Sequence, residues 1–149
     1  MTAFFVDIQF YLIDESYILK EASILSLDGT VSRHFVFYTN HRLDQLRSED
    51  QKTANYIIEK LKVIHLHCGN DSISSFLRFI PSNAILLVNG FLKKKILKEY
   101  LPHQRIIDIR IPFRVMRAKE RCDFPYYHTQ CSFTNVHKLR NYLFTLPPE

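Results

Sequence analysis

At 149 residues the chain has the size of a single domain, 1–149, large enough to bury a core without disulfide or metal staples. Its composition is 46% hydrophobic and 23% charged, with three Gly and six Pro, which excludes a disordered, collagen-like or coiled-coil chain. The net charge of +5 is unevenly placed: residues 1–90 carry eight Lys and Arg against ten Asp and Glu, residues 91–149 twelve against five.

No apolar run approaches the ~18–20 residues of a membrane helix. Asp7 interrupts the N-terminus too early for a signal-peptide core. Three cysteines are too few, and odd in number, for a disulfide framework. The expectation is an intracellular domain, cytoplasmic or nuclear, without a membrane partner. The basic C-terminal portion points to a polyanion, because each neutralised phosphate releases counterions. An ordinary solvated basic face is the plain alternative.

Residues 3–13 are nearly continuous in apolar and aromatic side chains, as in a strand covered on both faces. After the turn Asp14-Glu15-Ser16 comes a second strand, 17–27, and Asp28-Gly29 signals a two-residue hairpin into a third, 30–38. Ser48-Glu49-Asp50-Gln51 has the form of a capping box with Ser48 as N-cap. Ala54, Ile57, Ile58 and Leu61 continue that helix at helical spacing. A short helix over 73–80 ends at Pro81, and a buried strand spans 84–88. A basic amphipathic helix over 91–101, a strand over 105–109, an irregular stretch over 110–127 and a helix over 132–146 complete the chain.

This order predicts an α/β protein: an antiparallel meander β1–β3, then β4 and β5 placed beside β1 by right-handed crossover helices. It resembles the ribonuclease H-like fold, a five-stranded mixed sheet with helices on both faces. Nucleases of that fold hold two Mg²⁺ ions between carboxylates. In the DEDD exonucleases strand one carries Asp-x-Glu; this chain has Asp7-Ile8-Gln9. After strand four an acid is expected, and Lys93-Lys94-Lys95 stands there; in the last helix Asn135 takes the place of an aspartate. One carboxylate beside three lysines cannot neutralise two dications, so two-metal catalysis is not expected. Asp7, Gln9 and Asn135 are then vestigial positions, with Asp7 a hydrogen-bonded polar residue on strand one.

Cys122, His128 and Cys131 form Cys-x5-His-x2-Cys, soft and borderline donors of the kind zinc favours. Buried cysteines also serve as small core residues. The chain is similar here to the Maelstrom domain, an exonuclease-like fold in which a Glu-Cys-His-Cys zinc site accompanies loss of the metal-binding acids. The likeness rests on Glu21-Ala22-Ser23-Ile24-Leu25-Ser26-Leu27-Asp28-Gly29, on Arg33-His34-Phe35, and on Cys131-Ser132-Phe133-Thr134-Asn135-Val136. It implies a zinc held by Glu21, Cys122, His128 and Cys131. The family pattern has Cys-x2-His and a longer gap to the last Cys, and the chain is shorter than the typical family domain. Water, His65, His67 or Cys68 are therefore alternatives to Cys122. The resemblance also implies work in small-RNA (piRNA-type) pathways that silence transposons. In some members it implies metal-independent cleavage of single-stranded RNA.

His65-Leu66-His67 could bind metal from an extended segment, or cap the preceding helix through its last carbonyls. Lys93, Lys94 and Lys95, with Arg114, Arg117, Lys119 and Arg121, are the candidate RNA contacts bordering the old cleft, where Phe124, Tyr126 or Tyr127 could stack on bases. Lys20, Lys52, Lys60 and Lys62 read as ordinary surface charges of the acidic portion. The leading functional expectation is a zinc-stabilised domain that binds single-stranded RNA. A protein-interaction scaffold on a dead exonuclease fold and a metal-independent RNA endonuclease are the alternatives.

Overall fold

The computed structural model describes residues 2–60, 63–112, 116 and 131–145. Five strands, β1 (Ala3–Ile13), β2 (Ser16–Ser26), β3 (Ser32–Val36), β4 (Ile85–Val88) and β5 (Arg105–Asp108), form one sheet in the order β3-β2-β1-β4-β5. The first three are antiparallel, and β4 and β5 run parallel to β1. The described helices are α1 (Ser48–Glu59), α2 (Ile73–Phe79), α3 (Phe91–Tyr100) and α4 (Ser132–Thr145). None of them is long and apolar enough to cross a membrane.

β1 is apolar along most of its length because its two faces meet different helices. Phe4, Val6 and Ile8 pack with Phe76 of α2 and Ile96 and Leu97 of α3. Phe5 meets Val136 and Leu139 of α4, while Tyr11 and Ile13 meet Ala54 and Ile57 of α1. The residues between these on the α4 side are Asp7 and Gln9, both buried. Period-two alternation therefore delivers two polar side chains beneath α4.

Three local expectations are corrected. Ser48 is the first helical residue of α1 rather than its cap; Arg47 holds the cap position without a side-chain bond. Of the two acids in that first turn, Glu49 and Asp50, Asp50 accepts from Asp14 N at 3.2 Å and Arg47 Nε at 3.2 Å, while Gln51 Nε2 donates to Leu46 O. The β2–β3 connection is longer than a two-residue hairpin and is organised by Asp28, whose Oδ1 accepts from Ser26 Oγ and from both Thr30 N and Thr30 Oγ1. Those bonds, the Thr30 amide first, draw the Asp28 carboxyl down to about 2. Lys20 is not a surface charge. The β1–β2 register slips between Gln9 and Phe10, which pair with Glu21 and Leu19, so Lys20 is the unmatched residue of a β-bulge. It is wholly buried, and its ammonium donates to Phe37 O at 2.8 Å, Leu66 O at 2.8 Å and Cys68 O.

Candidate metal centre

Glu21, the residue after the bulge, faces β1 at Gln9 and β3 at Val36. His34 stands on β3 opposite Ser23, two positions along from Glu21's partner on the same face. Cys131 immediately precedes α4 and is 1% exposed; Glu21 is fully buried and the His34 side chain nearly so. One donor atom from each of the three lies within 4.8 Å of the others. Strand pairing brings the first two together and the helix lid supplies the third.

The carboxylate is held at both oxygens. Oε1 accepts from Ser132 N at 2.9 Å, at the N-terminus of α4 where the helix dipole favours an anion. Oε2 lies 2.7 Å from His34 Nε2. Ser23 Oγ and Ser132 Oγ bond at 2.7 Å and lock the start of the helix to β2. A buried carboxylate, imidazole and thiol on three separate elements could hold a metal ion.

Of the expected ligands, Glu21 and Cys131 meet here, while Cys122 and His128 lie outside the described residues. His34 takes a place that the spacing did not assign to it. Once the hairpin register is known, its position diagonal to Glu21 is the signal that finds it. Among the described residues His65, His67 and Cys68 do not join the group, so they are not the alternative ligands. Their segment is a turn, closed by Cys68 N to His65 O at 3.1 Å, not an extended strand. Neither imidazole donates to a last-turn carbonyl of α1 among the described residues.

One helical turn further along α4, Asn135 faces Asp7 and Gln9, the positions compared above with the exonuclease acids. Asp7 Oδ2 accepts from Asn135 Nδ2 at 2.9 Å and from Gln9 Nε2 at 3.3 Å. Asp7 Oδ1 receives the Lys93 ammonium at 2.5 Å. The Asp7 side chain is 1% exposed and that of Lys93 is 24% exposed. A tethered cation and two amide donors thus saturate Asp7, which is a hydrogen-bonded polar residue on strand one. Lys98 Nζ is also spent, on Gln104 O at 2.5 Å. Lys94 and Lys95 make no such bond among the described residues. Arg114, Arg117, Lys119 and Arg121 lie outside the described residues.

No protein-family model matches the chain, and a search of curated proteins finds no significant match.

Proposed function

We propose that this chain is a ribonuclease H-like, Maelstrom-like domain that has exchanged two-metal catalysis for a structural zinc and binds single-stranded RNA. The observation that carries the reading is the shared first turn of α4. Cys131 and Ser132 close it over Glu21, and Asn135 closes it over Asp7. The element that completes the metal group is thus the one that seals the old acid position, where Lys93 supplies the positive charge.

Glu21, His34 and Cys131 would hold the zinc, with a fourth ligand from Cys122 or His128. Bound zinc would neutralise the Glu21 carboxylate and the Cys131 thiolate and fix α4 to the sheet. RNA phosphates would meet Lys94 and Lys95 on α3 and the basic residues Arg114, Arg117, Lys119 and Arg121. The engagement of Lys93 by Asp7 removes it from the expected phosphate contacts. The charge excess of residues 91–149 supports a polyanion as partner.

The test pairs a zinc assay on protein purified without added metal with salt-dependent binding to single-stranded RNA oligonucleotides. One zinc per chain and an affinity that falls with salt support the reading; RNA binding absent at low salt sinks it. A scaffold role has one observation in its favour: Phe91 and Leu92, at the start of α3, are 76% and 40% exposed. Loss of a protein partner, with RNA binding intact, in Phe91→Ser would favour that second reading.

A further inference from the structure

We infer that His65 and His67 form a second, solvent-accessible site for a divalent transition-metal ion, separate from the buried Glu21 group. The two rings stand with centroids 5.2 Å apart, tilted by 51°. Two imidazoles bound to one tetrahedral ion, each with metal–nitrogen distances of about 2.0–2.1 Å, place their ring centres about 5 Å apart. The observed centroid spacing equals that of a chelating pair.

The turn that carries the rings is held from beneath. Tyr11 Oη donates to Ile64 O at 2.7 Å, and Thr39 Oγ1 and the Lys20 ammonium both donate to Leu66 O, at 3.1 and 2.8 Å. Lys20 also reaches Cys68 O, and Cys68 N closes the turn on His65 O. Every second residue is therefore anchored by its carbonyl, while His65 and His67 themselves remain exposed. Such anchoring lowers the ordering cost that two mobile imidazoles would meet on chelation.

Both rings line a cavity of about 690 Å³, whose other walls include His41, Asp44, Gln51 and Asn55. Arg42, also in the wall, is paired with Asp44 at 3.5 Å, and residues 1–90 carry net negative charge. That balance favours a cation over a phosphate as occupant. Neutral imidazole selects Cu²⁺, Ni²⁺ or Zn²⁺ over Mg²⁺ or Ca²⁺. With two protein ligands, the ion keeps positions open to water or to an oxygen or nitrogen group entering the cavity.

The experiment is calorimetric titration of tag-free protein with Zn²⁺ and, separately, Ni²⁺. The wild type should bind one equivalent more than the variant in which both His65 and His67 are Ala, and this equivalent should survive Cys131→Ser when titrated at a temperature where circular dichroism shows that variant folded. His65→Ala and His67→Ala should each weaken this equivalent by about tenfold or more, since even outer-shell changes at metal sites cost 10–100-fold. Both residues are exposed, so melting without metal should not move. A wild type lacking any equivalent beyond the one that Cys131→Ser removes overturns the inference. So does an extra equivalent that persists in the doubly substituted protein. Neither result bears on the zinc proposed at Glu21.

Discussion

Lys20→Met tests the buried clasp beneath the His65–Cys68 turn. Methionine keeps most of the stem's volume and removes the ammonium, leaving Phe37 O and Cys68 O without that donor and Leu66 O with Thr39 Oγ1 alone. Phe37 is 0% and Leu66 3% exposed, so those two oxygens stay dry, whereas Cys68 is half-buried and its oxygen can find water. At about 1–3 kcal/mol for the orphaned Phe37 oxygen, plus a smaller cost at Leu66 O, offset in part by no longer burying a charge, the net loss is about 2 kcal/mol. A urea slope of about 2 kcal/mol per M turns that into a midpoint lowered by about 1 M. Lys52→Met, on the exposed face of α1, should leave the midpoint where it is. pH supplies a second readout. Burial, the larger influence, brings the Lys20 ammonium down to about 8, and the neighbouring Cys68 acts the other way. Above that value the unfolded chain binds more protons at this position than the folded one. Wild-type stability should therefore rise from pH 8 toward the ordinary lysine value, and this rise should be missing in Lys20→Met. Equal midpoints for the two methionine variants, or identical pH profiles for wild type and Lys20→Met, would refute the clasp.

Four further outcomes follow from the same structure. Burial raises the Tyr11 phenol above its ordinary range, so stability should fall as pH climbs past the ordinary tyrosine value, where only unfolded chains lose that proton. Tyr11→Phe, which also loses the bond to Ile64 O, should cost about 1–2 kcal/mol in urea denaturation and flatten the fall. Glu21→Gln or Cys131→Ser should abolish zinc retention by elemental analysis, and chelating the wild type should lower its melting temperature sharply, since structural zinc contributes about 10–16 kcal/mol of apparent binding energy; a metal-free wild type with unchanged melting counts against the centre. Asp7→Asn should leave any RNA cleavage intact while destabilising the fold by about 2–3 kcal/mol through the partly buried Lys93, and a selective loss of Mg²⁺-dependent cleavage would contradict the saturated-acid geometry. Replacing Lys94 and Lys95 together with Ala should weaken single-stranded RNA binding and flatten its salt slope by about 0.7 for each phosphate no longer neutralised, with melting nearly unchanged; equal binding at every salt concentration rejects α3 as part of the interface.

Strand and helix spans were legible because hydrophobic period and turn chemistry agree along most of the chain. Residues 3–13 carry no polar gap until Asp7 and Gln9, and those two are buried by α4 rather than turned to water. What eluded the pattern is instructive. A bulge changes register without changing composition, so nothing in the alternation of β2 marks Lys20 as internal. Ser48 has the residue type of a cap, yet Asp50 is drawn into contacts with Asp14 and Arg47, a tertiary arrangement that local spacing does not encode. Glu21 and Cys131 could be paired in advance only through a family likeness, since 110 positions separate them in the chain. His34 needed the actual β2–β3 register. The expectation that Asp7 is a hydrogen-bonded polar residue was readable from charge alone: an amide at Gln9, an amide at Asn135 and an ammonium at Lys93 all donate to it.

The lid formed by α4 also dictates an order of events during synthesis. Glu21 waits 111 residues for the backbone of Ser132, and Asp7 waits 128 for the amide of Asn135. At about 5–20 residues per second, roughly 6–25 s pass between the emergence of the meander and that of its cover. During this interval β1 and β2 can pair, but one face of the nascent sheet displays two carboxylates and the aromatic ring of Phe5 to solvent. The charges keep that unfinished face from adhering to other apolar surfaces. The same carboxylates that would destabilise a buried interior thus act first as guards of an open one, until Lys93 pairs with Asp7 and α4 covers both with its amides.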